Sequence, residues 1–494
     1  MNWPEGQALP HFASPGGVDV VDLRAAPAAD VLLALTVQGV VNRTRPRIWL
    51  VRDADEGSHT WLDTLALPTT PVAGVDALVA RYRREIRGAV LADPAVPATR
   101  NVATTLAGLE DAVVAEPEAA DRLGLPVVAD LRGRFGGGAE AYRWAVDRLW
   151  PRTTRRMLVG IDHDGPGFLR DYAVANRAFA VWAHPAARPD RALLKRLLAD
   201  MPANSPYLGW WPSGVSGESR GTELASRHAV YVVPADYAHN LTVLSGVRTP
   251  APSFVERVVE RVVERHRPLP LEERTYVTFT MTDGDNLQYC QHAMRRLWNL
   301  PERGQAPLNW TVSPLLRDAA PAILAYYQRT ATPNDLLVAG PSGAGYAYPR
   351  VWPRREFGAF TRQTGEYAGD LAHPPVVNVL NRWHRVDRDL TAREVAAYAR
   401  DVQPVGLLQH WTFRHRTRMV AGLPVATGRL VSTVDECRRV LARAARSHRR
   451  RFVSIGVLAW SLTPADVATV AAELDDRYRV VRADDFLHLA RLAR

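Results

Sequence analysis

The chain has 494 residues, a hydrophobic fraction of 47% and a formal net charge of +10. This composition is typical of a folded globular protein and excludes a disordered chain or a collagen-like fibre. Its apolar runs are shorter than a membrane span requires. The first residues lack the basic and apolar segments of a secretion signal. We therefore expect a cytoplasmic protein without a membrane partner.

The positive charge comes almost entirely from arginine. Of the 62 basic residues only Lys195 is a lysine, which indicates the codon bias of a GC-rich genome. No nucleic-acid recognition motif accompanies the charge, so we predict no nucleic-acid partner. The two cysteines, Cys290 and Cys437, have neither a disulfide framework nor a metal-ligand spacing.

Helix and strand patterns alternate through the first half of the chain. They predict three small αβ domains, at residues 1–70, 71–150 and 151–255. The third contains a tryptophan-rich loop with Trp211, followed by Glu218.

The remaining residues, 265–494, change rhythm. Short β-like runs, most of them followed by a helical pattern, start at residues 276, 309, 336, 376, 406, 429, 452 and 478. This alternation favours a parallel β/α architecture, and eight units match a (β/α)8 TIM-barrel-like domain. The helix between the fifth and sixth runs is hard to recognise. In such barrels the active site lies at the carboxyl ends of the strands.

Two carboxylates, Asp283 and Asp285, directly follow the first barrel strand. Residues two apart in an extended chain point the same way, with Cα atoms roughly 6.5–7 Å apart. Paired acids at this separation can act as acid and base, because each ionisation disfavours the other. Binding of a hard cation and simple helix capping are the alternatives.

A glycine- and tyrosine-rich loop follows the third barrel strand, at residues 340–349. Gly343 and Gly345 permit an unusual backbone path. We expect the hydroxyls of Tyr346 and Tyr348 to face the rim and bind sugar oxygens. The alternative is a rigid connection without a binding role.

Residues 343–349, Gly-Ala-Gly-Tyr-Ala-Tyr-Pro, match the signature of the family of "GxGYxYP putative glycoside hydrolases", which the chain resembles. Further similar segments begin at Gln38, Tyr207, Asp236 and Asp283. The resemblance covers nearly the whole chain. It implies small N-terminal αβ domains before a TIM-barrel-like domain, and glycosidase activity on a carbohydrate.

We predict hydrolysis of a glycoside without a cofactor or metal, with Asp283 and Asp285 as catalytic residues and Glu218 as an alternative partner. Two other functions remain open: carbohydrate binding without catalysis, and metal-dependent deacetylation of a polysaccharide. The predicted substrate-binding residues are Asn286, Gln288, Tyr346, Tyr348, Trp211, Asn381, Arg382, His410, Trp411 and Trp460.

Overall fold

A computed structural model describes residues 2–165, 167–213, 217–248, 269–283, 286–412, 414–445 and 452–493. The chain divides into two compact units. The first unit comprises Met1–Arg248 and Asp318–Ala322, and the second comprises Thr249–Arg317 and Ile323–Arg494. Within the described ranges, none of the helices combines the length and apolar character that a membrane span requires.

The first unit contains three small parallel sheets, whose strand orders are β2-β1-β3, β5-β4-β6 and β10-β9-β7-β8. Their strands are β1 (Val18–Asp22), β2 (Ile48–Val51), β3 (Thr69–Pro71), β4 (Ala89–Leu91), β5 (Val113–Ala115), β6 (Val127–Asp130), β7 (Leu158–Gly160), β8 (Phe179–Val181), β9 (Ser205–Gly209) and β10 (Val230–Val233). Most are short apolar runs that are fully buried, as expected of parallel strands covered by helices on both faces.

The helices of this unit lie between the strands in sequence. They are α1 (Ala28–Asn42), α2 (Thr60–Leu65), α3 (Gly74–Arg81), α4 (Thr99–Glu110), α5 (Pro117–Arg122), α6 (Gly138–Arg148), α7 (Arg170–Ala175), α8 (Arg188–Ala199), α9 (Gly217–Arg227) and α10 (Leu241–Leu244), with short 3₁₀ helices at Arg83–Glu85 and Trp150–Arg152. The three-domain division predicted for these residues stays a prediction.

A buried polar network joins α1 to the start of α10. The Gln38 amide donates to Asn240 Oδ1 at 2.7 Å, and the Asn42 amide donates to Thr242 Oγ1 at 3.0 Å. Both amides also donate to the carbonyl of Ile48 on β2. The segment beginning at Gln38 therefore has a structural role in this unit, because buried polar groups are costly unless they are hydrogen-bonded.

The second unit is built on one curled sheet that is ten-stranded in the described part of the chain, with the order β18-β19-β17-β14-β13-β12-β11-β21-β20 and with β22 paired to β11. A separate hairpin joins β15 to β16. The strands are β11 (Thr275–Thr282), β12 (Leu308–Val312), β13 (Asp335–Ala339), β14 (Val376–Asn378), β15 (Arg382–Trp383), β16 (Val386–Asp387), β17 (Gly406–Gln409), β18 (Arg416–Val420), β19 (Leu423–Thr427), β20 (Arg429–Val431), β21 (Phe452–Leu458) and β22 (Tyr478–Val480).

The helices after residue 269 alternate with these strands. They are α11 (Leu287–Gln291), α12 (Ala293–Trp298), α13 (Leu316–Ala319), α14 (Pro321–Thr330), α15 (Phe357–Ala368), α16 (Ala392–Asp401), α17 (Val434–Ala445), α18 (Pro464–Ala472) and α19 (Ala483–Leu492). Phe486 of α19 belongs to an apolar cluster with Tyr276, Leu336 and Val376, which lie near the amino ends of their strands. The opposite, carboxyl edge of the sheet is where the predicted site residues begin.

All eight predicted strands of this unit are present, and the α/β class is confirmed. The (β/α)8 barrel is not confirmed, because two connections differ from it. A β18–β19 hairpin replaces the helix between the fifth and sixth predicted strands. The eighth, β22, pairs only with Thr275–Val277 of β11, and β21 pairs with β11 directly.

Candidate functional site

The candidate site lies along the carboxyl edge of the curled sheet and begins with Asp283. This residue follows β11 and has a φ of 69°, which is uncommon for a non-glycine residue. Its backbone carbonyl accepts hydrogen bonds from Asn286 Nδ2 at 3.2 Å and from Trp460 Nε1 at 3.1 Å. Asp285 lies outside the described residues, so its predicted separation from Asp283 stays a prediction.

Trp460 is an exposed indole held in place at this edge. It follows β21, which pairs with β11, and 44% of its surface is exposed. Besides its hydrogen bond to Asp283, it packs edge-to-face against Tyr289, with ring centroids 4.9 Å apart. These contacts fix the orientation of an aromatic side chain that water reaches, next to the backbone of Asp283.

The glycine- and tyrosine-rich loop is more buried than the sequence predicts. Tyr346 is 7% exposed and Tyr348 is 2% exposed. The expectation of two exposed phenols is therefore wrong. The loop folds inward because Ser342 Oγ donates to the carbonyls of Ala347 and Leu380, and the Tyr398 hydroxyl donates to the carbonyl of Ser342 at 2.6 Å.

Gly343 shows why this loop needs glycine. Its φ is 135°, and a Cβ atom there would lie 2.3 Å from Thr364 Oγ1. The Thr364 hydroxyl also accepts a hydrogen bond from the backbone N–H of Ala344 at 3.1 Å. Close packing on α15 thus fixes the loop, and whether its tyrosines contact a ligand stays a prediction.

Asn381 is buried beneath the edge and organises the backbone around it. Its Oδ1 accepts a hydrogen bond from the backbone N–H of Arg350, and its carbonyl accepts one from the backbone N–H of Arg388, both at 2.8 Å. Asn381 is only 1% exposed. The structure thus gives it a scaffolding role rather than the predicted position at an open rim.

Arg382 follows Asn381 and is half-buried. Its Nε lies 2.7 Å from Asp387 Oδ1, and its guanidinium lies 5.6 Å from the ring centroid of the half-buried Trp411. Burial acts to lower the pKa of Arg382, but the hydrogen bond to Asp387 and the nearby phenols of Tyr348 and Tyr346 raise it above its ordinary value. Arg382 and Trp411 therefore lie together, as the strand order predicts.

Trp383 is an exposed aromatic residue that the sequence analysis did not single out. It lies at the end of β15, in the hairpin that projects beyond β14, and is 38% exposed. The residues after it, His384 and Arg385, both have positive φ. This two-residue turn between two-residue strands was too short for a periodicity signal.

His410 lies inside the sheet rather than at its rim. It is 0% exposed, its Nε2 lies 2.8 Å from Ser454 Oγ, and its Nδ1 has no hydrogen-bond partner among the described residues. Burial, with a smaller contribution from the nearby His415, lowers the pKa of His410 to about 3. The imidazole is therefore neutral at physiological pH, and its predicted place at an open rim is wrong.

Asn378, at the end of β14, was also missed. Its Nδ2 donates to Thr282 Oγ1 at 2.7 Å, which ties the end of β14 to the residue before Asp283. The alternation of Thr278, Thr280 and Thr282 along β11 was the available signal, because it places polar groups on one face of a buried strand. Asn286 and Gln288, at the start of α11, are buried, with 8% and 3% of their surfaces exposed.

Two predicted site residues belong to the first unit. Trp211 is fully buried and stacks on Tyr207, with ring centroids 3.8 Å apart. Its predicted role as a substrate-binding residue is therefore wrong, because it forms part of that unit's core. Glu218 is exposed in the first turn of α9.

Among the described residues, no group of three His, Cys, Asp or Glu side chains is arranged to hold a metal ion. Asp285 lies outside that part of the chain, so this finding does not test the acidic pair as a metal site.

Three family models match successive parts of the chain. The "GxGYxYP_N second domain" matches residues 86–153, the "GxGYxYP third domain" matches 155–246, and the "GxGYxYP putative glycoside hydrolase C-terminal domain" matches 273–491. Together they span most of the sequence, including the whole described carboxyl edge.

Similar solved structures include the crystal structure of a putative hydrolase from Bacteroides thetaiotaomicron VPI-5482. It is 20% identical, covers 100% of this chain and 98% of its own, and superposes with a TM-score of 0.85, so the two share a fold. Cwp6 from Clostridium difficile matches at 11% identity over 97% of this chain and 72% of its own, but its TM-score of 0.30 is too low to support an argument. No curated protein sequence matches the chain.

Proposed function

The chain belongs to the GxGYxYP family, and on that basis we propose that it is a glycoside hydrolase whose site lies at the carboxyl edge of the curled sheet. The family's C-terminal model, described as a "putative glycoside hydrolase C-terminal domain", includes Asp283 and Trp460. The putative hydrolase from Bacteroides thetaiotaomicron supports only the shared fold.

The observation that carries the proposal is the hydrogen bond from Trp460 Nε1 to the carbonyl of Asp283. It fixes an exposed indole against the backbone of Asp283, at the end of a buried strand. An aromatic face packs against the apolar C–H face of a sugar ring and excludes water there. We propose that a sugar stacked on Trp460 brings its glycosidic bond within reach of the Asp283 side chain.

Most glycosidases need two carboxyl groups, one as general acid and one as base or nucleophile. We propose Asp283 as one of them and Asp285 as its partner. A separation of about 5–5.5 Å would give retention of anomeric configuration, and about 6.5–9.5 Å would give inversion.

Carbohydrate binding without catalysis is the second candidate. The exposed indoles of Trp460 and Trp383 favour it, because aromatic platforms bind sugars whether or not hydrolysis follows. Under this alternative the carboxylate of Asp283 only accepts hydrogen bonds from sugar hydroxyls.

A panel of aryl glycosides and oligosaccharides, assayed for both binding and hydrolysis, separates the two candidates. We expect Asp283→Asn to keep binding while losing about a hundredfold or more in kcat, because removal of a catalytic acid or base typically costs that much. We expect Trp460→Ala to weaken both. Binding without turnover by the wild type would favour the second candidate, and equal rates for wild type and Asp283→Asn would contradict the proposed role of this residue.

A further inference from the structure

The hairpin at Arg382–Asp387 carries a second aromatic surface with an unusual electrostatic setting. The guanidiniums of Arg350 and Arg388 each lie 5.9 Å from the ring centroid of Trp383. This is within the range of a cation–π contact. All three side chains are exposed, so an exposed indole is flanked by two exposed cations.

These two arginines have no carboxylate partner in the part of the chain that the structure describes. The nearby carboxylates are already engaged, Asp387 with Arg382 at 2.7 Å and Asp389 with Arg418 at 3.3 Å. Within the described residues, neither Arg350 nor Arg388 forms an ion pair. Many other arginines of the chain do pair with carboxylates, for example Arg477 with Asp475 at 2.7 Å.

Backbone hydrogen bonds to Asn381 hold the segments that carry Arg350 and Arg388. The buried Asn381 accepts the N–H of Arg350 through its side chain and the N–H of Arg388 through its carbonyl. It also directly precedes the strand that carries Trp383. One buried residue therefore holds the backbone of both arginines, through its side chain at Arg350 and through its carbonyl at Arg388.

We propose that Trp383, Arg350 and Arg388 form a subsite for an acidic sugar, with the ring of the sugar on the indole and its carboxylate or sulfate between the guanidiniums. Planar guanidiniums bind oxyanions through two parallel hydrogen bonds, and the aromatic face supplies the apolar contact. This subsite deepens the proposed function and rests on it, because it names the substrate class of the same edge as an anionic glycan.

Four oligosaccharide probes test the subsite by calorimetry or fluorescence: a galacturonate hexamer, its neutral methyl ester, a chondroitin hexasaccharide, and the same hexasaccharide with sulfate. We expect the wild type to bind the galacturonate hexamer about tenfold or more tightly than its ester, because charge-assisted hydrogen bonds are stronger than neutral ones. The preference should decrease with added salt. The two chondroitin probes distinguish recognition of a carboxylate alone from recognition of sulfate.

The double variant Arg350→Gln/Arg388→Gln should bind the acid and its ester equally, and Trp383→Ala should weaken both. Arg354→Gln is the matched control, because Arg354 is an exposed arginine on the same loop and should keep the preference. Equal binding of acid and ester by the wild type, no binding of any anionic probe, or an undiminished preference in the double variant would overturn the subsite.

The outcomes also separate the subsite from hydrolysis. Selective binding of anionic glycans without cleavage of any substrate would refute the proposed hydrolase activity and support the subsite. Cleavage of neutral glycans without a preference for charged ones would support the hydrolase activity and refute the subsite.

Discussion

His410 is a buried histidine that the fold keeps neutral. Gly428 and Gly456 leave room for its ring, since a Cβ atom on Gly456 would lie 2.6 Å from His410 Cβ. The lowered pKa, about 3 against 6.5 for the free side chain, means that the unfolded chain binds a proton that the folded protein does not. The contribution of His410 to stability is therefore complete above about pH 6.5 and decreases as the pH falls toward 3.

We predict that His410→Gln makes stability less dependent on pH. Between pH 7 and pH 4.5 the wild type should lose about 2 kcal/mol of unfolding free energy that the variant does not lose. Urea unfolding of both proteins at the two pH values measures this difference. Equal losses in wild type and variant would show that His410 is protonated without cost, which the buried geometry contradicts.

The rim residues show what a sequence alone reveals about a site. Residue type and strand position predicted that Trp460 lies exposed at a strand end, as it does, because it follows a strongly apolar strand. They overestimated the exposure of Tyr346 and Tyr348, because their loop is held by hydrogen bonds to α15 and α16, which the sequence pattern does not reveal. They missed Trp383, because the exposure of a hairpin tip depends on a turn of two residues.

At the scale of elements, Gly428 connects the two ends of the sheet. It is the single residue between β19, which pairs with β17, and β20, which pairs with β21. Its N–H donates to the carbonyl of Gln409 at 2.8 Å. The sheet curls here because the extended segment β19–β20 pairs first with β17 and then with β21.

We expect Gly428→Ala to destabilise the second unit by about 1–3 kcal/mol, the typical cost of overpacking. A Cβ atom there would lie 2.1 Å from the carbonyl oxygen of Ser454. Gly137→Ala is a suitable control, because a Cβ atom at Gly137 meets no atom within 4 Å. Thermal unfolding measures the effect, and an unchanged melting temperature for Gly428→Ala would mean that the strands separate readily at this point.

Eight of the strands described in the second unit could be predicted because most of them are apolar runs bounded by polar residues. The way in which these strands close into a curled sheet could not be predicted, because it depends on which strands pair with each other. β22 is three half-buried residues, so its pattern gives no information about its pairing partner. The β18–β19 hairpin lies where the (β/α)8 pattern requires a helix. Its two strands were therefore not predicted, although their residues have a β-like pattern.

At the scale of the whole molecule, the family and the α/β class were predicted together, since the motifs are spread along the chain, whereas the closed barrel is not confirmed. The candidate site was predicted in part. Its edge follows from strand order, but the side chains that reach water depend on long-range packing. The same packing assigns Trp211 to the core of the first unit and makes Asn381 a scaffold for Arg350 and Arg388.

The central claim is that the Asp283 carboxylate acts directly on a glycosidic bond. Azide rescue of Asp283→Ala tests it, using a dinitrophenyl glycoside of whichever sugar the panel identifies. The variant should be about a hundredfold or more slower than wild type, and azide should restore much of the rate, because a small anion can enter the space left by the carboxylate. Asp475→Ala, which removes an exposed carboxylate paired with Arg477, should retain the wild-type rate without azide. A rate for Asp283→Ala equal to that of wild type, or a slow rate that azide leaves unchanged, would contradict the claim.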